Sequence, residues 1–218
     1  MNINKHLILL FSVLFFLFAV SASSGCFRKN ESDVKSVVRN ELDQLKNLDS
    51  ETTQKYIPYT ELFPDATENT DLTDEINETF SLFFRKFNYK ISDVIVGTAN
   101  HSATVSVKLT TIDSKVLARD FKAELLRTQI TESAQAQKGN IKDSSRSLEA
   151  HYLILNHLLN TNDYDTAETD CNIQLVNTGN DKKEKWKIQR TNSLEDDLVG
   201  GLIADLADPG YPFHRKIP

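Results

Sequence analysis

The sequence predicts an α+β fold in which a curved antiparallel sheet of two hairpins packs against helices. Apolar residues recur at helical spacing in several segments, and they alternate with polar residues in four shorter runs. The four runs form two pairs, each joined by turn residues, as in β-hairpins. The order is helix, helix, hairpin, two helices, hairpin, helix, and such segregation of helices from hairpins is typical of α+β domains.

The first part of the chain supplies the first helices. Apolar positions in 32–48 predict an amphipathic helix that Ser32 caps. Asp49 begins a shorter helical piece, which ends ahead of Pro58 because the residue before a proline avoids the helical region. Residues 58–71 have loop composition. An apolar stripe then predicts a helix over about 73–87, formed by Ile76, Phe80, Phe83, Phe84 and Phe87.

Two hairpins and three helices follow. Alternation within 89–96 and 103–109 predicts the first hairpin, and alternation within 167–175 and at Trp186–Ile188 predicts the second. Between them, Asp113 or Ser114 begins a helix that extends to about residue 137, and another helix covers about 143–160. Asn192 or Ser193 caps the last helix. Gly200 and Gly201 either weaken it or permit its close packing against a sheet. The predicted core contains Phe80, Phe84, Phe87, Val105, Val107, Phe121, Ile173 and Trp186.

The N-terminus predicts export from the cytoplasm. Lys5 and His6 precede a 14-residue apolar run, Leu7–Val20, which only Ser12 interrupts. A secretory signal peptide consists of a weakly basic start, such an apolar run and a stretch of small residues before the cleavage site. The predicted signal peptide is 1–25. The run is shorter than the ~20 apolar residues that a spanning helix needs.

Cys26 is the predicted lipidation site. Ser24, Gly25 and Cys26 resemble the end of the bacterial lipobox, although Ser23 departs from its aliphatic preference. The resemblance implies a diacylglyceryl group on Cys26, and two acyl chains anchor a protein stably. The tether, 26–31, contains Arg28 and Lys29, which favour anionic headgroups. There are two alternatives. The signal peptide is cleaved in the ordinary way and Cys26 keeps a free thiol, or the apolar run is not cleaved and anchors the chain.

Composition limits the remaining function classes. Beyond residue 26 the chain has 24 basic against 31 acidic side chains, a formal charge of −7, whereas nucleic-acid binders usually present a basic face. Seven scattered glycines are too few for a phosphate-cradling loop, and two cysteines cannot form a disulfide framework. The length predicts one domain, 32–207, followed by a tail, 208–218.

Several segments resemble a group of lipoproteins from low-GC Gram-positive bacteria. The resemblance lies in the runs 89–94, 103–107, 109–113, 185–188 and 198–202. It covers most of the mature chain, through motifs that are structural. It implies a domain of unknown function with a cystatin-like or NTF2-like fold, in which a curved sheet wraps a long helix and can enclose a pocket. The family supplies no catalytic residues.

Asp93 is the one candidate catalytic residue. It falls on the Tyr89–Ile91–Ile95 side of its predicted strand, where an apolar residue is expected. If that side faces inward, Asp93 is a pocket carboxylate that could act as a general base. The alternatives are a bulge, or a register in which Val94 and Val96 face the core.

The other reactive residue types favour structural roles. Cys171 alternates with Thr169 and Ile173 and is predicted to be a buried core thiol. His151 and His157 are about 120° apart around a helix, so they do not converge on a metal. His101 lies in a hairpin turn and is expected to be exposed. The acidic group Asp163, Asp165, Glu168 and Asp170 lacks the spacing of an EF-hand calcium loop.

We therefore expect a lipoprotein on the extracytoplasmic face of the cell membrane, without a cofactor or a metal. Its partners would be the membrane, through the lipid, and a protein or small-molecule ligand, but no nucleic acid. The alternatives are an NTF2-like enzyme that uses Asp93 with Tyr89 or a histidine, or a structural envelope protein. Convergent titratable groups around a cavity would favour the enzyme.

Overall fold

The computed structural model describes residues 30–57, 62–63, 72–97, 101–136, 147–179 and 184–207. The predicted signal peptide, the lipidation at Cys26 and the C-terminal tail lie outside these residues. Seven helices are described: α1 (30–46), α2 (Ser50–Tyr56), α3 (Thr73–Phe84), α4 (Ser114–Ala136), α5 (Leu148–Thr161), α6 (Asn192–Leu198) and α7 (Leu202–Ala207).

The four described strands form one antiparallel sheet, which confirms the predicted α+β class. They are β1 (Asn88–Val96), β2 (Ser102–Ile112), β3 (Thr166–Asn177) and β4 (Trp186–Ile188). Their spatial order is β1-β2-β3-β4, so each hairpin is a pair of neighbours and α4 and α5 connect the two hairpins. In the second hairpin Leu175 is paired with Ile188 and Asn177 with Trp186.

Contacts divide the chain into two compact units. Unit 1 contains the described residues up to Arg39 with Asp93–Val105 and Ile173–Gln189. Unit 2 contains Asn40–Ser92, Ser106–Asn172 and the described residues from Arg190 onward. In unit 2, α5 packs against α3 and α4, and α4 also packs against α7.

Each unit buries the apolar residues that the sequence patterns predict. In unit 1 these include Val34, Val105, Ile173 and Trp186, and in unit 2 Phe80, Phe84, Phe87, Val107 and Phe121. Aromatic contacts link the helices of unit 2. The ring centroids of Phe63 and Phe121 lie 5.2 Å apart, and those of Phe80 and Tyr152 lie 6.3 Å apart. All eight side chains of the predicted core are buried.

Helix α1 ends in an unusual cap. The amide of Leu48 donates to the Leu45 carbonyl (3.1 Å), and the amide of Asp49 donates to that of Gln44 (2.9 Å). These two bonds form a Schellman motif, in which the left-handed position is usually glycine. Here it is Leu48, with φ 62° and a side chain that is 44% exposed. The short helix α2 starts at Ser50, where the sequence predicts its start, and Asp49 caps it by accepting from the amide of Thr52 (2.9 Å).

The predicted last helix is wrong in two respects. Gly200 and Gly201 have φ values of 65° and 88°, so they divide it into α6 and α7 rather than merely weakening it. The N-cap is Thr191, whose side chain accepts from the Leu194 amide (3.1 Å), and not Asn192 or Ser193.

Two earlier helix boundaries also differ. α1 is already helical at residue 30, so Ser32 lies inside it and does not cap it. α3 ends at Phe84, and Phe87 is buried beyond its last turn. Asp113 caps α4 as predicted, since its carboxylate accepts from the amides of Lys115 (3.1 Å) and Val116 (3.4 Å).

Candidate functional site

Asp93 lies on the exposed surface of β1. Ser92 and Asp93 are both exposed, which interrupts the alternation, and beyond them Val94 is half-buried and Val96 is buried. Ile95, which was expected to face inward with Asp93, is 58% exposed. The inward placement of Asp93 is therefore wrong. Val94 and Val96 face inward, as in the alternative register, but only beyond Ser92, because Tyr89 and Ile91 are the half-buried positions before it.

Tyr89 has a structural partner of its own. Its hydroxyl donates to the Asp43 carboxylate over 2.7 Å and so links the start of β1 to α1. Beside it, the Lys46 ammonium donates to the side-chain oxygen of Asn88 over 2.9 Å. The bond to Asp43 satisfies the hydroxyl of Tyr89, whose side chain is half-buried.

The histidines lie in separate surroundings. The ring of His151 packs against Phe63 (centroids 4.9 Å apart) and Phe121 (5.8 Å), and its Nδ1 lies 2.7 Å from the Ser147 carbonyl oxygen. His157 is exposed, and so is His101, as predicted. Within the described part of the chain, no three His, Cys, Asp or Glu side chains gather as metal ligands would.

Cys171 is a buried thiol, which confirms its prediction as a core residue. It is 2% exposed and forms no disulfide. Burial, reinforced by the nearby Asp197 carboxylate, raises the pKa of the thiol to about 12. Since the thiolate is the reactive form, this position favours packing over nucleophilic chemistry.

Two members of the acidic group form ion pairs. The Asp163 carboxylate accepts from Lys86 Nζ at 2.5 Å, and the Glu168 carboxylate accepts from Lys108 Nζ at 3.0 Å. The hydrogen bond and charge of Lys86 hold the pKa of Asp163 below its usual value. Both acids are exposed, so these pairs lie in a solvated surface as the sequence indicates.

A cleft of about 200 Å³ opens in unit 2, where α3 and α5 end and β3 is about to begin. Leu82, Ile112 and Leu159 supply its apolar part. Its charged and polar part includes Arg85, Lys86, Asp163 and Tyr164. Because it brings together titratable groups from different elements, this cleft is the candidate functional site.

Lys86 and Tyr164 of the cleft are held by hydrogen bonds within the fold. Lys86 Nζ also donates to the Tyr164 carbonyl over 2.6 Å, and the Tyr164 hydroxyl donates to the Asp120 carboxylate over 3.3 Å. Burial raises the pKa of the Tyr164 hydroxyl. Arg85 is exposed and forms no ion pair with the described residues, so its guanidinium is available to an incoming acceptor.

Sequence patterns did not indicate this cleft. Lys86 and Tyr164 are 78 residues apart, and their bond depends on how the ends of α3 and α5 meet. The one local signal is the pair Arg85–Lys86 at the end of an apolar helix, where cations are favourable to the helix dipole whether or not a ligand binds. The volume lies below the ~300–1,000 Å³ of typical small-molecule sites.

Among the described helices, none combines the length and the apolar character that crossing a bilayer requires. Comparison of the chain with protein-family models, with curated proteins and with solved structures finds no match.

Proposed function

We propose that this protein is an extracytoplasmic lipoprotein, anchored through Cys26, whose α+β domain binds a partner at the membrane surface. One observation carries the anchor: a weakly basic start and a 14-residue apolar run precede Ser24-Gly25-Cys26, with only three small residues, 21–23, between the run and the motif. A diacylglyceryl group on Cys26 would hold the chain on the bilayer through two acyl chains. The proposed location is therefore the outer face of the cell membrane.

The start of α1 agrees with this arrangement. The chain is helical from residue 30, four residues beyond Cys26. Four residues span at most about 14 Å when fully extended. An anchored domain would therefore stand directly on the bilayer.

The chemistry of the cleft supports binding rather than catalysis. Lys86, Asp163, Tyr164 and Asp120 are joined in one chain of hydrogen bonds, which leaves Arg85 as the cation of the cleft that has no ion-pair partner among the described residues. A guanidinium recognises carboxylates and phosphates through paired N–H donors. The small volume suits one acidic side chain of a protein better than a whole drug-sized ligand.

Metabolic labelling tests the anchor. Cells expressing the full chain are grown with a labelled fatty acid, and the protein is followed in the membrane fraction. We expect label on the wild type and none on Cys26→Ala. Cys171→Ala is the matched control, because it removes the other cysteine and should keep both label and membrane association. Equal labelling of Cys26→Ala would refute the assignment.

Site-specific photo-crosslinking tests the cleft. A photoreactive amino acid replaces Arg85 in one variant and the exposed Lys115, which is not part of the cleft, in another. We expect a crosslinked partner at position 85 in intact cells and none at 115. The same crosslink at both positions, or at neither, would count against the cleft as the binding site.

A further inference from the structure

The two cations of the cleft, Arg85 and Lys86, lie in a turn whose backbone the fold holds in place. The turn follows α3, and the Arg85 amide donates to the Leu82 carbonyl over 3.4 Å, while the Phe87 amide donates to that of Phe84 over 2.9 Å. Phe87 is buried, so the turn is also fixed where it leads into β1. Both cations line the cleft, and the fold therefore presents them together.

The cleft differs in charge from the unit that contains it. The described residues of unit 2 include eleven lysines and arginines against twenty acids, a net charge of −9. The described residues that line the cleft include two cations, Arg85 and Lys86, and one acid, Asp163, a net charge of +1. The cleft is therefore a local site at which unit 2 attracts an anionic group.

Asp163 already occupies one of the two cations. Its carboxylate lies 2.5 Å from Lys86 Nζ, yet its side chain is 93% exposed. The backbone on either side of it is fixed by other bonds, because the Asn162 amide donates to the Leu158 carbonyl over 3.0 Å and the Tyr164 carbonyl accepts from Lys86 over 2.6 Å. The Asp163 carboxylate can therefore leave Lys86 by rotating into water while the backbone stays in place.

The ion pair between Lys86 and Asp163 is weak enough to be exchanged. Exposed pairs of this kind change an equilibrium constant by about fivefold at most. Asp163 holds Lys86 alone, since Arg85 forms no ion pair with the described residues. A carboxylate that enters the cleft and meets both cations gains a second ion pair, and its advantage over Asp163 is the guanidinium of Arg85.

We infer that Asp163 is a built-in competitor for the acidic group that the cleft binds. The side-chain carboxylate of a partner's glutamate or aspartate replaces Asp163 on Lys86 and pairs with Arg85 at the same time. This inference rests on the proposed function of the cleft and adds how its affinity is set. Asp163 neutralises Lys86 in the unbound protein, which disfavours acids that reach only one of the two cations.

A titration followed by NMR tests the competition. The probe is N-acetylglutamate α-amide, which carries one carboxylate, and N-acetylglutamine amide is its uncharged analogue. Backbone amide signals of the cleft residues in the ¹⁵N-labelled, acylated full chain, held in detergent micelles at constant ionic strength, give the dissociation constant. We expect Asp163→Asn to tighten binding of the acidic probe by about twofold to fivefold, because the competing charge is gone.

Two variants separate competition from a general change in charge. Asp165→Asn removes the same charge from an exposed acid that does not line the cleft, so it should tighten binding much less. In a Lys86→Gln background, Asp163→Asn should no longer tighten binding, because the cation for which the two acids compete is absent. Equal tightening by Asp163→Asn and Asp165→Asn, or tightening that persists without Lys86, would overturn the inference.

Arg85→Gln distinguishes this result from the proposed function. If the wild type binds the acidic probe, Arg85→Gln does not, and Asp163→Asn is no tighter than the wild type, the cleft binds acids without a competitor and the inference alone is refuted. If neither the wild type nor Asp163→Asn binds the acidic probe more tightly than the uncharged analogue, the proposed acid-binding cleft and the inference are refuted together.

Discussion

Replacing Gly200 by alanine should destabilise the domain more than the same change at its neighbour Gly201. Both glycines have positive φ, 65° and 88°, in the break between α6 and α7. An alanine in this left-handed region costs about 1–2 kcal/mol at either position. The two sites differ in the space available to the new methyl group.

At Gly200 an added Cβ would lie 2.2 Å from Oγ1 and 3.2 Å from Cβ of Thr111. Thr111 is 1% exposed, so neither its side chain nor the strand can move aside freely. Overpacking of this kind costs typically 1–3 kcal/mol. At Gly201 the nearest atoms, in Ser114 and Asp205, are 3.7 and 3.8 Å away, which is ordinary contact.

We therefore expect Gly201→Ala to lower the free energy of unfolding by about 1–2 kcal/mol and Gly200→Ala by about 2–5 kcal/mol. Urea denaturation followed by circular dichroism measures both. Against a total of roughly 5–15 kcal/mol, the larger loss shifts the midpoint visibly.

A double mutant identifies the clash as the cause. Thr111→Ala removes the oxygen that the new methyl group meets, so Gly200→Ala should cost less in the Thr111→Ala background than in the wild type. The reasoning would be refuted if Gly200→Ala cost no more than Gly201→Ala, or if the Thr111 and Gly200 effects were additive.

Three further predictions concern the cap of α1, the core and the buried thiol. Leu48→Gly should raise the free energy of unfolding, measured in urea, by up to about 1 kcal/mol, because glycine adopts the left-handed conformation without strain. Leu45→Gly, in the buried face of α1, should lower it by several kcal/mol. A lower free energy of unfolding for Leu48→Gly would contradict this prediction. Phe121→Ala should lower the free energy of unfolding, measured by thermal melting, by about 3–5 kcal/mol. His101→Ala, at an exposed position, should change it by no more than about 0.5 kcal/mol. Similar small effects of both variants would show that Phe121 contributes little to packing. For Cys171, a thiol reagent should react only after denaturation. Because its folded pKa, about 12, lies above the value of 9.0 for a free thiol, its neutral form stabilises the fold fully below pH 9. That stability is lost as the pH rises toward 12. The free energy of unfolding of the wild type should therefore fall, relative to that of Cys171→Ala, by up to about 1.4 kcal/mol per pH unit. Parallel pH profiles would contradict it.

Periodicity predicted the elements because each buries one face. The stripe from Ile76 to Phe87 and the alternation around Ile173 both reflect a choice between core and water that is made locally. The same reasoning failed at Asp93, because a face change within a strand depends on its pairing with β2 and leaves the period intact on either side. It also failed at Thr191, since several adjacent residues can cap a helix and the backbone decides which one does.

The candidate site was less accessible to sequence reasoning than the fold. Lys86 bonds to the carbonyl of Tyr164, and a backbone carbonyl leaves no trace in residue identity. At Gly200 the sequence leaves close packing against a sheet open as an alternative, but the residue that the glycine meets, Thr111 of β2, is given only by the fold. The structure therefore adds most to the sequence analysis where it shows contacts between segments that are distant in the chain.

The exposed charges of β1 would have a consequence if the proposed lipid anchor holds the protein on a membrane surface. Within the described sheet β1 is an outer strand, so one side of its backbone faces no other strand. Lipid anchoring would concentrate many copies in two dimensions, and flat strand margins at high local density invite strand-to-strand assembly. The exposed Lys90 and Asp93, with the change of face at Ser92, make this margin charged and irregular. Crowding on the membrane would then leave the copies separate, and a valine at position 93 would promote self-association far more on vesicles than in dilute solution.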